Sequence, residues 1–257
     1  DWLENKRDPD KPFSLNLWHK AVHEKHLPAP RHEDLFQDDP LPEPPFDTHK
    51  ETFKGKPEWL RRKTYGFKWN ENDKIPEELP EITWPINKHK YMQLLRSLIA
   101  VDESLGKVIK TLEEIGELEN TVIIYSSDNG YFMGEHTFID KRLAYENSMR
   151  VPMIIRYPKL ISKSSVVDEQ CLNIDIAPTI LDLAGVNKPS YMQGESMLKL
   201  ISGKKDKTLP YMKTNQFSNL SLVRERSRRR PRTALGSLKY PKSYQKWTQR
   251  ESKTMKK

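Results

Sequence analysis

The sequence predicts an α/β fold, a mostly parallel sheet flanked by helices, and two observations carry that prediction. The runs Thr121-Val122-Ile123-Ile124-Tyr125 and Val151-Pro152-Met153-Ile154-Ile155-Arg156-Tyr157 are continuously apolar and rich in β-branched residues. Unbroken apolar runs of this length mark strands covered on both faces, as in a parallel sheet. These runs also alternate with segments of helical periodicity, and strand–helix alternation is the signature of an α/β layer architecture.

Taken in order, Pro12-Phe13-Ser14-Leu15-Asn16-Leu17-Trp18 reads as a short strand running into His19-Lys20-Ala21-Val22-His23. Between Pro28 and Pro85 stand ten prolines. Proline lacks a backbone N–H and fixes φ, so this stretch excludes long helices and central strands. It reads as a functional loop region, its tryptophans Trp59, Trp69 and Trp84 packed on a surface near a binding cleft. Tyr91, Leu94, Leu95, Leu98, Val101, Leu105, Val108, Ile109, Leu112 and Ile115 recur at three- and four-residue spacing, which predicts one long helix ended by Gly116. Val166-Val167 is a third, shorter strand. Asp175 then caps a helix over 176–184, with Pro178 in its first turn and Gly185 just past its end.

Composition narrows the function. Apolar residues are 35% and charged residues 31%, a globular balance with no apolar run long enough for a membrane span. The single cysteine, Cys171, excludes an intrachain disulfide framework and a cysteine-based zinc site; it reads as a core residue. The net charge of +8 is unevenly placed: residues 211–257 hold 14 Lys/Arg against 2 Asp/Glu, which leaves −4 for residues 1–210. The tail lacks apolar periodicity and is expected to be poorly ordered; any nucleic-acid or other polyanion binding would depend on it. The chain starts at Asp1 without Met, as a fragment or a processed product would.

Ligands in open α/β sheets bind past the carboxyl ends of strands. The strand at 121–125 leads directly into Ser126-Ser127-Asp128-Asn129-Gly130. Asp128 and Asn129 offer oxygen ligands of the kind Ca²⁺ or Mg²⁺ takes, and Gly130 would let the backbone turn sharply. Downstream, His136, Lys141 and Arg142 cluster in a charged loop suited to an anion. Lys20 and His23 follow another strand and can reach the same edge, Lys as a point charge and His as a proton carrier. His26, His32, His49 and His89 read as structural histidines.

The stretch from Tyr125 to Pro152 resembles the sulfatase family of the alkaline phosphatase superfamily. It is similar, almost position by position, to that family's strand–D-N-G–x-x-x-G-E-H–x-x-x-D-K-R–x-x-Y-E-x-S-x-R-V-P segment. His19-Lys20-Ala21-Val22-His23, Pro28-Ala29-Pro30-Arg31-His32 and Asn173-Ile174-Asp175-Ile176-Ala177-Pro178-Thr179 match members as well, so the resemblance covers roughly residues 10–203. It implies hydrolysis of a sulfate ester or sulfamate by a formylglycine gem-diol beside a divalent metal. Carried over, Asp128 and Asn129 are calcium ligands. Lys141 contacts the sulfate and the leaving oxygen, and His23 binds sulfate or passes a proton. Lys20, His136 and Arg142 line the substrate site. The resemblance also implies a sulfated small molecule or polysaccharide as substrate and a periplasmic, secreted or lysosomal compartment.

Two departures qualify this. The sequence holds no C-x-P-S-R from which formylglycine is made, and no N-terminal strand with paired aspartates. The expectation is therefore the C-terminal part of a catalytic domain over 1–210, with 28–85 as a Pro-rich substrate-side insert, inactive alone. Past Tyr211 the Arg-rich sequence replaces the strands of a smaller domain, as a shifted reading frame or a lineage-specific tail would. Two alternatives stand beside the sulfatase: a phosphodiester or phosphonate hydrolase of the same superfamily, and a non-catalytic polyanion-binding protein.

Overall fold

The computed structural model describes residues 1–39, 54–64, 70–76, 88–161 and 164–203. In chain order the elements are α1 (Trp2–Asn5), α2 (Glu58–Arg61), α3 (Lys88–Glu114), β1 (Ile123–Ser126), β2 (Phe132–Met133), β3 (Ile139–Asp140), α4 (Glu146–Met149), β4 (Met153–Arg156), α5 (Ile176–Leu183) and α6 (Leu198–Ile201), with short 3₁₀ turns between. They fall into two units, one from Asp1–Gly116 and Asn129–Pro152, the other from Glu117–Asp128 and, of the described residues, 153–203.

The first unit is organised by α3. Its Met92 packs with Leu35 and Phe36, flanked by Leu95 and Ile99; Val101 and Leu112, also buried, lie on the opposite face of the helix. Gly116 stands one residue past the helix C-cap with φ +72°, the left-handed conformation that lets a helix end turn back. The 3₁₀ turn Pro30–His32 is tied to α3 by charge: Glu103 accepts from His32 Nε2 at 2.8 Å and from the Arg31 guanidinium, and Arg96 Nε donates to Leu35 O at 2.7 Å. His32 is fully buried on this contact, a structural histidine as its sequence context suggested. His89 is exposed beside Gln93, and His49 lies outside the described residues.

In the second unit, β1 and β4 pair antiparallel, from Ile123 opposite Arg156 to Ser126 opposite Met153. The two runs read as parallel strands therefore run in opposite directions. All four β1 residues are half-buried, and Ile154 of β4 is 61% exposed. An apolar run reports how much surface a strand hides, not the direction of its partner. Among the described residues the ladders are this pair and the antiparallel pair β2–β3; no parallel pairing occurs in them.

Other strand readings also differ. Residues 12–18 form no ladder, and Leu15, Leu17 and Trp18 stand exposed. Val166-Val167 is likewise without a strand, Val166 being 63% exposed. A strand needs a neighbour for its N–H and C=O groups, and neither segment finds one among the described residues. Trp59 is 61% exposed, while Trp69 and Trp84 lie outside the described residues.

Helix α5 forms where expected, closed by Gly185 at φ +69°. Asp175 sits at its N-cap position, yet its side chain makes no helix cap. Its buried carboxylate instead accepts the N–H of Leu172 at 2.8 Å and of Glu195 at 2.9 Å. Thr179 Oγ1 accepts from Met197 N at 2.8 Å, so the start of α5 and the 195–197 turn are joined by two polar contacts, one part-buried and one buried. Cys171 is half-buried at the edge of this unit rather than in a core, its thiol 3.8 Å from Glu169 O. No helix among the described residues is long and apolar enough to cross a membrane.

Candidate functional site

Asp128 lies two residues beyond the end of β1, at the last position of the second unit, and is exposed. Its main chain is held from below: Asn173 Nδ2 donates to Ser127 O at 2.9 Å and to Asp128 O at 3.3 Å. Nothing in the sequence pattern assigned Asn173 this task. Ser127 Oγ donates to Asp128 Oδ1 at 3.3 Å. The next residue, Asn129, donates from its amide to Gly130 O at 2.6 Å.

Gly130 was expected to supply a sharp turn. The structure gives another reason for glycine: its φ is not positive, and a Cβ there would fall 2.2 Å from Asn147 O and 3.1 Å from Arg150 O. Gly130 N also donates to Ser148 O at 2.8 Å. The backbone after Asn129 is packed directly on the backbone of α4.

As a calcium site the described residues are incomplete. Asp128 and Asn129 offer two oxygen ligands of the right kind, where Ca²⁺ takes about six to eight. Among the described residues no group of three His, Cys, Asp or Glu side chains comes together.

Beyond Tyr131 the chain forms a tight hairpin, β2 against β3, with Phe132 opposite Asp140 and Met133 opposite Ile139. The hairpin holds His136 and Thr137 of its turn and Asp140 of β3 at φ 56°, 67° and 76°, the left-handed region disfavoured for side chains with a Cβ. Strained backbone persists only where its surroundings over-determine it, and it clusters at functional sites. Here the clamp is aromatic. Phe132 is fully buried and meets Phe138 and Tyr145 edge-to-face, with centroids at 5.7 and 5.8 Å. Leu60 of α2 closes the cluster, and Ser148 donates to Leu143 O beneath it.

Into this cluster reaches Lys56, a residue the sequence did not single out. Its Nζ donates to Tyr145 Oη at 2.8 Å and lies 5.2 and 4.9 Å from the ring centroids of Phe138 and Tyr145. Burial lowers its pKa to about 8, while the ring faces attract the ammonium. His136 packs on Tyr145 at 4.9 Å. Burial, and then the Lys56 charge, lower its pKa to about 4, so at neutral pH it is an uncharged ring. Glu135 turns back to accept Met133 N–H at 2.6 Å, its pKa raised by burial.

This hairpin delivers Lys141, half-buried and without a hydrogen bond or ion pair among the described residues. Arg142 follows with its side chain 86% exposed, 3.2 Å from Asp140. Lys20 and His23 sit on the exposed loop before α3. His23 Nδ1 is 2.9 Å from Glu24 O and 3.3 Å from Lys20 Nζ. The carbonyl can only accept and the ammonium can only donate, so the two contacts call for opposite tautomers of the ring. Asn129, His136, Lys141, Arg142, Lys20 and His23 thus all belong to the first unit; Asp128 belongs to the second.

His26 corrects its structural reading by half. It is 4% exposed, with Nδ1 2.7 Å from Val22 O, but its Nε2 is buried with no partner among the described residues.

Comparison with known proteins bears on the family. Residues 134–230 match the sequence profile described as N-sulphoglucosamine sulphohydrolase, C-terminal. The N-acetylglucosamine-6-O-sulfatase of Bacteroides thetaiotaomicron is 35% identical over 247 residues, an alignment covering 77% of this chain and 43% of that protein. The N-acetylglucosamine-6-sulfatase of Capra hircus is 33% identical over 207 residues, covering 79% of this chain and 34% of that protein. A solved structure, of a protein in complex with its substrate D-glucosamine-2-N,6-O-disulfate, superposes with a TM-score of 0.64 at 32% identity, covering 79% of this chain and 50% of that one. The chain belongs to the sulfatase family. It spans less than half the length of these curated relatives.

Proposed function

We propose that the protein hydrolyses a sulfate ester on a sulfated glucosamine-type carbohydrate. The observation that carries this reading is Lys141: a half-buried lysine with no polar partner among the described residues, held at the end of a strained hairpin. Its support is the superposition on a protein solved with a disulfated glucosamine substrate.

Cleaving a sulfate ester builds negative charge on the sulfuryl oxygens and the leaving oxygen, and fixed cations stabilise that charge most when they need no reorganisation. Lys141 contacts the sulfate and the leaving oxygen. His23 passes the proton that the leaving alkoxide needs. Lys20 and Arg142 attract the anionic substrate, and His136 shapes the site as a neutral ring. Asp128 and Asn129 contribute ligands to a divalent metal, Ca²⁺, whose other ligands come from outside the described residues. When bound, that metal acidifies the nucleophile and neutralises the sulfate. Residues 1–210 then form the C-terminal part of a catalytic domain, and 28–85 the substrate-side insert.

The test is sulfate release from N-acetylglucosamine 6-sulfate by the protein carrying this chain. Lys141→Met is expected to lower kcat/KM about a hundredfold or more, as loss of one charge-stabilising donor does elsewhere. Faster turnover of a phosphate diester than of any sulfate ester would refute the assignment.

A further inference from the structure

The segment that delivers Lys141 is a short closed loop. Phe138 stands at its start and Tyr145 at its end, and their rings meet edge-to-face with centroids at 5.6 Å. Tyr145 N donates to Leu143 O at 2.8 Å, which tightens the closing end. Lys141 lies three residues from one closing ring and four from the other.

Lys56 holds both ends at once. Its Nζ lies 5.2 Å from the ring centroid of Phe138 and 4.9 Å from that of Tyr145, and it donates to Tyr145 Oη at 2.8 Å. The ring faces attract the ammonium, and the hydrogen bond adds direction, so the contacts together set the spacing of the two rings and the turn of Tyr145. The chain around Lys56 places it for this. Gly55 takes φ +77°, Pro57 is the N-cap of α2, and Leu60 of that helix is buried against Phe132 and Phe138. All of these belong to the Pro-rich stretch 28–85. The titratable groups facing Lys56 among the described residues are Tyr145 and His136, the latter uncharged at neutral pH, while Glu58 of α2 is paired with Arg62.

Resting on the sulfate-ester reading above, we infer that Lys56 is a positioning residue for Lys141: its ammonium pins the two ends of the loop that carries Lys141 and so fixes where that cation stands. The Pro-rich stretch thereby sets the geometry of the reacting centre as well as facing the substrate. A fixed cation stabilises developing charge because it needs no reorganisation, and a loosened loop gives that advantage up. The pin is charged only while Lys56 holds its proton. Burial lowers its pKa to about 8, so the grip is complete below that value and weakens as pH rises through it.

The test is steady-state sulfate release from N-acetylglucosamine 6-sulfate by the protein carrying this chain, followed on both sides of pH 8. Lys56→Met should lower kcat about tenfold and change KM less than about twofold. In a Lys141→Met background the same substitution should cost less than about twofold, because no cation is left to misplace. The kcat of the unsubstituted protein should fall as pH rises through about 8, and Lys56→Met should lose that fall. Lys56→Arg, whose guanidinium stays charged, should recover part of the loss and move the fall upward, and it serves as the variant if Lys56→Met misfolds. Equal losses in the two backgrounds, or one alkaline profile shared by all three proteins, overturn the role of Lys56. An unsubstituted protein that releases no sulfate overturns the sulfate-ester reading itself and this inference with it.

Discussion

Gly130→Ala puts one methyl group where the structure has no room for it. The new Cβ would fall 2.2 Å from Asn147 O, and the obstructing atoms are backbone, not the end of a flexible side chain. Carbon and carbonyl oxygen approach to about 3.3 Å, so the two strands of chain must part by roughly 1 Å. That movement takes the Gly130 N to Ser148 O bond, now 2.8 Å, out of hydrogen-bonding range. Losing the bond and leaving its groups unpaired, with the overpacking strain, costs about 2–4 kcal/mol. The displacement also carries Asn129 with it. The measurement is urea unfolding followed by tryptophan fluorescence, with Gly106→Ala as control. Gly106 lies within α3 with nothing within 4 Å of its would-be Cβ, and alanine there should stabilise by about 0.5–1 kcal/mol. A Gly130→Ala chain as stable as the parent would show that the close approach to α4 does not exist.

Lys56→Met removes the ammonium from the aromatic cluster and keeps most of its volume. Because the pKa of Lys56 is lowered to about 8, the unfolded chain holds its proton to higher pH, and the parent gains stability as pH rises from about 8 towards 10.5. The variant should lack that rise; parallel pH profiles for the two chains would sink the argument. The same substitution should raise the His136 pKa only part of the way from about 4, since burial is the larger cause, as an NMR titration would show. Burial pushes the Glu103 carboxyl up, but its bonds to Arg31 and His32 win and hold it below the usual value. Glu103→Gln should therefore destabilise at neutral pH by about 1–2 kcal/mol, and the gap should close as acid protonates the parent. Asp175→Ala strands the N–H groups of Leu172 and Glu195 and should cost about 2–4 kcal/mol in urea unfolding; Asp175→Asn should cost less.

Local patterns in the sequence carried a good part of this protein. The periodicity from Tyr91 to Ile115 became α3, and Gly116 and Gly185 close helices because a left-handed residue there is a local requirement. The family was legible too, since the stretch from Tyr125 to Pro152 keeps its residue types in fixed order. What tertiary structure alone decided is everything that depends on a distant partner. The direction of β1 against β4 is set by where the chain returns, and apolar content does not encode it. The aromatic cluster that holds Lys56 and neutralises His136 joins residues 89 positions apart. Gly130 is required by a neighbouring backbone and not by its own dihedral angles. A sequence records which groups are available; which of them lose water and meet one another is settled only when the chain is packed, because desolvation and hydrogen bonding act on positions in space.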